Sequence, residues 1–289
     1  MNHHPQLDNY KSPPLISGAT YTFKDLQYTE IEKIGKGQRR ECWRVQLGSE
    51  FRAVLKENFH KNDVEDLILF QKVVVLLDGH PNVVKTYSTF WTFLNNNCTF
   101  FIVQDCFTNC MIDLVNEYYF CNNEPEVHSV FLQLAEGLSF MHQRGVTNND
   151  ISLDNIFFKL ENNHAIVAYG DLGGAEIEGI PSSSSTINPT YASPSRFLDA
   201  KKTQADDVCS LGLCVSAIQW DYYKGELPLP YEEYEMMPHP KNINICMMNF
   251  RDKLESNRWK TLLLEMMADL RTDRPTATTL LSRVKAFSP

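Results

Sequence analysis

The sequence predicts an α+β protein in which a small, β-rich lobe with one main helix precedes a larger α-helical lobe. Three observations predict it. Strand-length apolar runs separated by Gly and Asn turns dominate residues 28–107. Helically spaced apolar residues dominate from residue 108 onwards. The chain has 289 residues, enough for two lobes. We therefore predict a loosely ordered arm over residues 1–27, an N-lobe over 28–107 and a C-lobe over 108–289.

The N-lobe elements follow from local pattern. Residues 31–45 predict two strands around a glycine turn, and residues 51–57 predict a third strand. Apolar residues recur at seven positions between Val64 and Leu77 with the spacing of a helix. Residues 83–94 and 98–103 then predict a strand pair around three asparagines.

The C-lobe elements are mainly helices. Residues 127–144 are strongly periodic and end at Gly145, a residue suited to the left-handed position after a helix. Short strands are predicted at 156–158 and 165–168, and the serine-rich residues 181–186 predict a flexible loop. Three further helices are predicted over 206–219, 255–269 and 276–286.

Charge and hydropathy exclude several function classes. There are 27 Lys and Arg residues against 36 Asp and Glu residues, which gives a formal charge of −9. An acidic surface is not drawn to nucleic-acid phosphates or to anionic lipid headgroups, so we expect neither nucleic acid nor a membrane as a partner. No apolar run approaches the ~20 residues that a membrane-spanning helix needs.

Cysteine usage indicates a reducing compartment. The eight cysteines include no C-x-x-C pair, so the sequence gives a zinc site little support. The N-terminus has no charged-then-apolar layout of a secretion signal. We therefore expect a cytoplasmic protein with reduced thiols.

Two N-lobe motifs are ambiguous when they are taken singly. Gly35 and Gly37 lie between the first two predicted strands, and glycines of this kind let a backbone approach phosphates. When the motif is taken alone, a plain glycine hairpin is the preferred interpretation. Lys56 ends the strand run A-V-L-K, and a lone strand lysine is usually a solvated edge residue.

Two C-lobe motifs add polar groups at fixed spacing. Asp150 and Asn155 lie five residues apart, between a long helix and a strand. Asp171 opens the motif D-L-G sixteen residues later, after another strand. Each alone could be an Asx-type loop. Order, spacing and flanking strands together fit one scheme, namely a glycine loop, a strand lysine, a catalytic-loop Asp and Asn, and a metal-binding Asp.

With these motifs the sequence resembles the eukaryotic protein kinases, as a divergent, serine/threonine-kinase-like member. The resemblance runs from Tyr28 to the C-terminus and implies one bilobal protein-kinase-like domain over residues 28–289. Segments without a catalytic role support it, namely G-H-P-N-V-V at 79–84, the helix at 133–142, T-Y-A-S-P-S at 190–195, A-D-D-V-C-S-L-G at 205–212 and D-R-P-T-A at 273–277.

The resemblance implies ATP and Mg²⁺ as ligands and assigns roles to four groups. Lys56 would pair with the α- and β-phosphates, and Asp150 would accept the proton of the substrate hydroxyl. Asn155 and Asp171 would hold Mg²⁺ with the hard oxygen ligands that this ion prefers.

The resemblance also implies a nucleotide pocket. Gly35 and Gly37 would cover the phosphates. The residues assigned to the adenine are Gln104 as gatekeeper, the backbones of Asp105 and Phe107 at the hinge, and Cys42, Ala53 and Phe157 around the ring.

The sequence also departs from the family pattern. Arg40 stands at the third glycine of the loop, and the glutamate position of the N-lobe helix falls on Phe70 or Gln71. The departures in the C-lobe are Asn149 for the arginine before the catalytic Asp, Ser152 for the following lysine and Ser195 for the glutamate that usually pairs with Arg274.

These observations leave two main functions open. The four retained groups favour an active kinase that phosphorylates protein hydroxyls, serine or threonine by default. The departures favour a pseudokinase that acts as a nucleotide-binding scaffold or as an allosteric partner of another protein. A small-molecule kinase is a third possibility, which the segment at 190–195 and the helix at 206–219 disfavour. The sequence leaves the oligomeric state open.

Overall fold

The computed structural model describes most of the chain. The described residues are 21–23, 26–36, 40–59, 64–94, 97–107, 109–116, 123–162, 164–180, 188–199, 201–219, 240–254 and 258–287. The predicted loop at 181–186 and Gly37 lie outside them.

The N-lobe is a six-stranded antiparallel sheet with the strand order β1-β2-β3-β4-β6-β5. Its strands are β1 (Tyr21–Phe23), β2 (Leu26–Lys36), β3 (Arg40–Leu47), β4 (Glu50–Phe59), β5 (Thr86–Leu94) and β6 (Asn97–Asp105). The sheet begins within residues 1–27, for which we predicted a loosely ordered arm, because Tyr21–Phe23 pairs with β2. Residues 1–20 lie outside the described residues.

One helix, which the apolar spacing predicts, contacts this sheet. Helix α1 spans Val64–Leu77, the bounds predicted from the sequence. Its apolar side chains at 67, 69, 70, 73 and 77 are buried in the main core. The helix also contacts the 3-10 turn at Leu172–Gly174, which places its inner face beside the D-L-G motif.

The C-lobe is helical. Its helices are α2 (Met111–Asn116), α3 (Glu124–Gln143), α4 (Pro194–Leu198), α5 (Gln204–Gln219), α6 (Pro240–Lys253), α7 (Lys260–Met266) and α8 (Ala277–Ala286). Three of the predicted helices correspond to α3, α5 and α8. The prediction of a helix over 255–269 is wrong in extent, because α7 spans Lys260–Met266 and a separate 3-10 turn follows at Arg271–Asp273.

Short strands carry the loops that face the N-lobe. A three-stranded sheet has the order β10-β9-β7, with β7 at Asn109–Cys110, β9 at Ile156–Glu161 and β10 at His164–Tyr169. A second pair joins β8 (Val146–Thr147) to β11 (Glu176–Ile177). The catalytic-loop motif lies between β8 and β9, and D-L-G lies between β10 and β11. Both motifs therefore emerge at the same edge of these strands.

The structure also bears on membrane insertion. Within the described ranges, no helix combines the length and the apolar character needed to cross a bilayer.

Candidate active site

The loop that carries Asp150 is held by a buried carboxylate from another helix. Asp207, in α5, accepts hydrogen bonds from the backbone N–H groups of Asn148 at 2.7 Å and Asn149 at 2.8 Å. It also lies 2.9 Å from the Nε2 atom of His142, at the end of α3. Asp207 is 1% exposed. Because three partners converge on one desolvated carboxylate, the position of the loop is fixed by α5 and α3.

The backbone just before Asp150 has an uncommon local conformation. Asn149 adopts the left-handed conformation with φ 70°, which a non-glycine residue rarely does and which asparagine tolerates best. The Asn148 side chain accepts a hydrogen bond from the backbone N–H of Asp150 at 3.0 Å. Strain and capping of this kind cluster at functional sites.

Asp150 and Asn155 are brought together as predicted. The Nδ2 atom of Asn155 donates to the Asp150 carboxylate at 2.8 Å and to the Asp150 carbonyl at 3.0 Å. An amide that donates through its nitrogen presents its Oδ1 atom on the opposite side. The side-chain oxygen of Asn155 is therefore oriented away from Asp150 and can serve as a ligand.

Asp171 is tied to the same group. The backbone N–H of Gly170 donates to the Asn155 carbonyl at 2.8 Å, so the residue before Asp171 is anchored on the catalytic loop. Asp171 itself has φ 42°, and its side chain accepts a hydrogen bond from the N–H of Gly173 at 3.4 Å. The structure thus brings three of the four predicted polar groups together through direct hydrogen bonds or backbone anchoring.

The donor set at Asn155 and Asp171 fits Mg²⁺. A carboxylate and an amide oxygen are the hard ligands that Mg²⁺ accepts, and this ion commonly takes its remaining ligands from phosphates and water. In the described part of the chain, no cluster of three or more His, Cys, Asp or Glu side chains could hold a metal by itself. Nucleotide phosphates would therefore have to complete the coordination shell.

Lys56 lies in β4, where it pairs with Phe101 of β6 and with Glu41 of β3 in the strand register. Among the described residues, no carboxylate oxygen lies within 4 Å of its Nζ atom. The ion pair that family members form with the N-lobe helix is thus absent from this part of the structure.

The side chains at the two candidate positions of that helix explain the absence. Phe70 is 9% exposed and packs edge-on against Phe100, with ring centroids 6.0 Å apart. Gln71 points to the sheet, where its Nε2 atom donates to the Oγ1 atom of Thr89 at 2.9 Å. Glu65 is exposed. Apolar packing and the neutral Gln71–Thr89 hydrogen bond therefore help to hold helix α1 against the sheet.

Strand register and ring contacts arrange the predicted adenine pocket. Ala53 pairs with Gln104, the predicted gatekeeper, across β4 and β6. The ring of Phe107, after the hinge, stacks at 6.0 Å on the ring of Phe157 in β9. The hinge begins at Asp105, whose backbone N–H donates to the Lys85 carbonyl at 2.9 Å.

Cys42, which is predicted to lie above the adenine, faces Gly35 across two strands. Its Cβ atom would lie 3.6 Å from a Cβ atom placed on Gly35, so the two residues face each other across β2 and β3. Burial, with a smaller contribution from Cys106, raises the pKa of the Cys42 thiol to about 12. The thiol is therefore neutral at physiological pH and acts as a small apolar wall.

Gly170 has a packing role that the sequence did not indicate. A Cβ atom at this position would overlap the Phe157 ring. The glycine before Asp171 thus makes room for the ring of Phe157, a residue predicted to contact the adenine.

Asp207 is the main site residue that sequence reasoning missed. Asp207 lies 57 residues from Asp150 in the chain. A carboxylate in the first turn of a helix is ordinarily explained by its favourable interaction with the helix dipole. The adjacent pair Asp206-Asp207 at the start of an otherwise apolar helix was the available signal, because paired carboxylates are rarely buried without partners.

Arg274 is paired with other groups, since Ser195 stands where family members have its glutamate partner. It contacts the carboxylate of Asp206 at 3.2 Å and donates to three backbone carbonyls. Its Nη2 atom also lies 3.3 Å from the Ser195 hydroxyl. The buried guanidinium is thus fully paired, as burial demands.

Comparison with known proteins identifies the family. Residues 28–284 match the family model described as protein kinase domain. The chain is 26% identical over 267 residues to serine/threonine-protein kinase Nek5 of Homo sapiens. This match covers 89% of this chain and 36% of that protein.

Two further relatives match a smaller share of this chain. Serine/threonine-protein kinase PAK mbt of Drosophila melanogaster is 27% identical over 56% of this chain and 25% of its own length. Serine/threonine-protein kinase SMU1 of Mycosarcoma maydis is 24% identical over 70% of this chain and 27% of its own length. The chain thus spans about a third or less of the curated relatives it matches. Since the family model covers most of its residues, the chain belongs to the protein kinase family.

Proposed function

We propose that this chain is a catalytically active, divergent protein kinase that transfers the γ-phosphoryl group of ATP, with Mg²⁺, to hydroxyl groups of proteins. The observation that carries the proposal is the Asp150–Asn155–Gly170 connection. Its side-chain and backbone hydrogen bonds hold the proposed base and the proposed metal ligands in one rigid group. Phosphoryl transfer depends on positioning and charge neutralisation, which such a group supplies.

The residues divide the work as follows. Asp150 receives the proton of the attacking hydroxyl, and its hydrogen bond from Asn155 fixes the direction in which the carboxylate points. Asn155 and Asp171 would hold Mg²⁺, which neutralises phosphate charge when it is bound. Lys56 supplies a positive charge for the nucleotide phosphates. Serine or threonine is the default acceptor residue.

The direct test is transfer of radiolabelled phosphate from ATP by the purified protein. We expect wild type to label a mixed protein substrate and Asp150→Asn to label it at least about a hundredfold more slowly, since a positioned base contributes roughly 10²–10⁴-fold. Asp113→Asn is the matched control, because Asp113 caps α2 through Cys110 and is not a proposed catalytic group. Equal rates for wild type and Asp150→Asn would overturn the proposal.

One observation favours the second candidate function, a pseudokinase that binds nucleotide and acts on a partner by shape. Phe70 and Gln71 occupy the positions from which an acidic residue would pair with Lys56. We expect Lys56→Met to abolish transfer and Gln71→Ala to change it little. If wild type and Lys56→Met are equally inactive while both show a Mg²⁺-dependent thermal shift with ATP, the pseudokinase function replaces the first.

A further inference from the structure

A largely buried ion pair joins the segment after Asp171 to the chain just before α5. The Nζ atom of Lys202 donates to the Glu176 carboxylate at 2.7 Å. The Lys202 side chain is 8% exposed and the Glu176 side chain is 16% exposed. Lysine is a strongly hydrated cation that is almost never buried without a partner. Neither residue belongs to the groups assigned to phosphoryl transfer, so that chemistry does not explain why two charges are withdrawn from water here.

The Lys202 end of this pair is fixed to the C-lobe through both of its chain neighbours. The Lys201 carbonyl accepts a hydrogen bond from Arg271 at 2.6 Å. On the other side, the backbone N–H and the hydroxyl of Thr203 donate to Asp206 at 3.0 and 2.9 Å. Because these contacts do not involve the ion pair, the position of Lys202 in the C-lobe does not depend on it.

The Glu176 end lies where several parts of the proposed site meet. Glu176 is in β11, five residues after Asp171, and it pairs with Thr147 of β8, the strand that precedes the catalytic loop. Strand β11 and the 3-10 turn before it both contact α1 of the N-lobe. A pair of two-residue strands has little stability of its own. An anchor from outside the pair therefore has a clear effect on where β11 lies.

A hydrogen-bonded turn connects this anchor to the proposed metal ligand. The N–H of Ala175 donates to the Leu172 carbonyl at 3.2 Å, and the N–H of Gly173 donates to the Asp171 side chain at 3.4 Å. The five residues from Asp171 to Glu176 thus form a short folded link. A displacement of Glu176 would therefore move the turn that carries the Asp171 carboxylate.

We propose that Lys202 is a positioning residue, whose ion pair with Glu176 holds β11 and thereby sets the position of the Asp171 carboxylate. The inference rests on the proposed function, which assigns Asp171 to Mg²⁺. The pair also fixes part of the surface that α1 contacts, in a chain whose α1 carries Phe70 and Gln71 at the glutamate positions of the family. Lys202 acts through Asp171 and takes no part in the chemical step.

Hydrogen exchange of the nucleotide-free protein tests the anchor itself. The reporters are the N–H of Ala175, in the turn, and the N–H of Glu178, which donates to the Gly145 carbonyl at 2.8 Å. We expect both to exchange at least about tenfold faster in Lys202→Met than in wild type, because local opening is governed by the contacts that hold a segment. Equal exchange in the two proteins would contradict the anchoring.

The dependence of ATP binding on Mg²⁺ tests the link to Asp171. The quantity measured is the ratio of the Kd for ATP without Mg²⁺ to the Kd with Mg²⁺, at a temperature where every variant is folded. We expect Lys202→Met to lower this ratio at least about threefold, since Mg²⁺ tolerates little departure from its preferred ligand geometry. A pair that merely stabilises the fold would lower Tm and leave this ratio unchanged.

Steady-state kinetics with both single variants and the double variant test the consequence for transfer. At saturating ATP and protein substrate, we expect kcat of Lys202→Met and of Glu176→Gln to fall at least about tenfold, since a misplacement of about 1 Å can cost about a hundredfold. The double variant should lose no more than either single variant. It leaves neither charge of the pair unpaired, so it decides the question if Lys202→Met does not fold.

The matched control is an ion pair of the same two residue types on the surface. Lys159 and Glu161 are also 2.7 Å apart, but each side chain is 54% exposed. Lys159→Met should leave the exchange rates, the Mg²⁺ ratio and kcat as in wild type, because an exposed pair contributes little. Lys202→Arg keeps the charge and should retain more of each property than Lys202→Met does.

The outcomes separate this inference from the proposed function. If wild type transfers no phosphate while Lys202→Met still changes the exchange rates and the Mg²⁺ ratio, the positioning role stands and the kinase activity does not. If wild type transfers phosphate and the Mg²⁺ ratio or kcat of Lys202→Met equals that of wild type, the positioning role is wrong and the activity stands. A wild type whose ATP binding does not respond to Mg²⁺ would also overturn the role, as would additive losses of kcat in the double variant.

Discussion

Gly170→Ala tests the contact between Gly170 and Phe157 beside the predicted nucleotide pocket. A methyl group at this position would overlap the ring of Phe157, which lies on β9 against the predicted adenine site. Overpacking of a filled interior costs about 1–3 kcal/mol. For a domain of this size, that loss corresponds to roughly 2–4 °C per kcal/mol in Tm. We therefore expect a fall of at least about 2 °C.

The assay is thermal unfolding of four proteins, each with and without ATP. They are wild type, Gly170→Ala, Phe157→Leu and the double variant. Phe157→Leu removes the ring that the new methyl would meet, so Phe157→Leu should lessen the cost of Gly170→Ala. The coupling between the two changes should reach about 1 kcal/mol, within the range for residues in contact. Gly174→Ala is the matched control, because a Cβ atom there meets nothing within 4 Å.

Two results would refute the reasoning. One is a Gly170→Ala protein as stable as wild type. The other is additivity, in which the double variant loses the sum of the two single losses. Either would mean that the Phe157 ring does not lie against Gly170.

Three further expectations follow from the site. Asp207→Ala should lower the free energy of unfolding by at least about 2 kcal/mol in a denaturant titration, since each donor left unpaired costs roughly 1–3 kcal/mol. A loss below about 0.5 kcal/mol, which is the usual size of surface substitutions, would contradict the anchoring role. Phe70→Ala should cost about 3–5 kcal/mol and increase hydrogen exchange in α1, whereas Ile68→Ala, 46% exposed on the same helix, should cost less than about 1 kcal/mol. The rate of alkylation of Cys42 should still rise about tenfold per pH unit above pH 10, because the raised pKa of its thiol keeps the reactive thiolate scarce. A rate that levels off near pH 9 would argue against burial of the thiol.

Periodic pattern was enough to locate the long elements. The apolar spacing of α1 predicted both of its ends, and the motif order placed Asp150, Asn155 and Asp171 near one another. Helix α6 was missed. Its apolar residues do not mark a single face, since Ile245 and Met248 are half exposed. Strands of two residues, such as β7 and β8, are too short to show any period.

Contacts between distant residues were not accessible from the pattern. The anchoring of the catalytic loop by Asp207 and the pairing of Arg274 with Asp206 each join residues more than 50 positions apart. A side chain's partner across such a distance is set by tertiary packing, which local spacing does not encode. The burial of Arg196 is a further case, because an arginine in a short surface-type helix would be expected in solvent.

Two of the departures from the family pattern share a physical character. At positions 70 and 149, where family members use a charged side chain in a pair, this chain uses a contact between uncharged groups. Phe70 packs on Phe100 near the position of a glutamate, and Asn149 donates to the Gly174 carbonyl in place of an arginine. Apolar packing and neutral hydrogen bonds are formed by folding itself and respond weakly to ionic strength or to an added phosphate. An ion pair, by contrast, can be made or broken by a modification nearby. If the chain transfers phosphate, we therefore expect the active arrangement of α1 to be set by the fold.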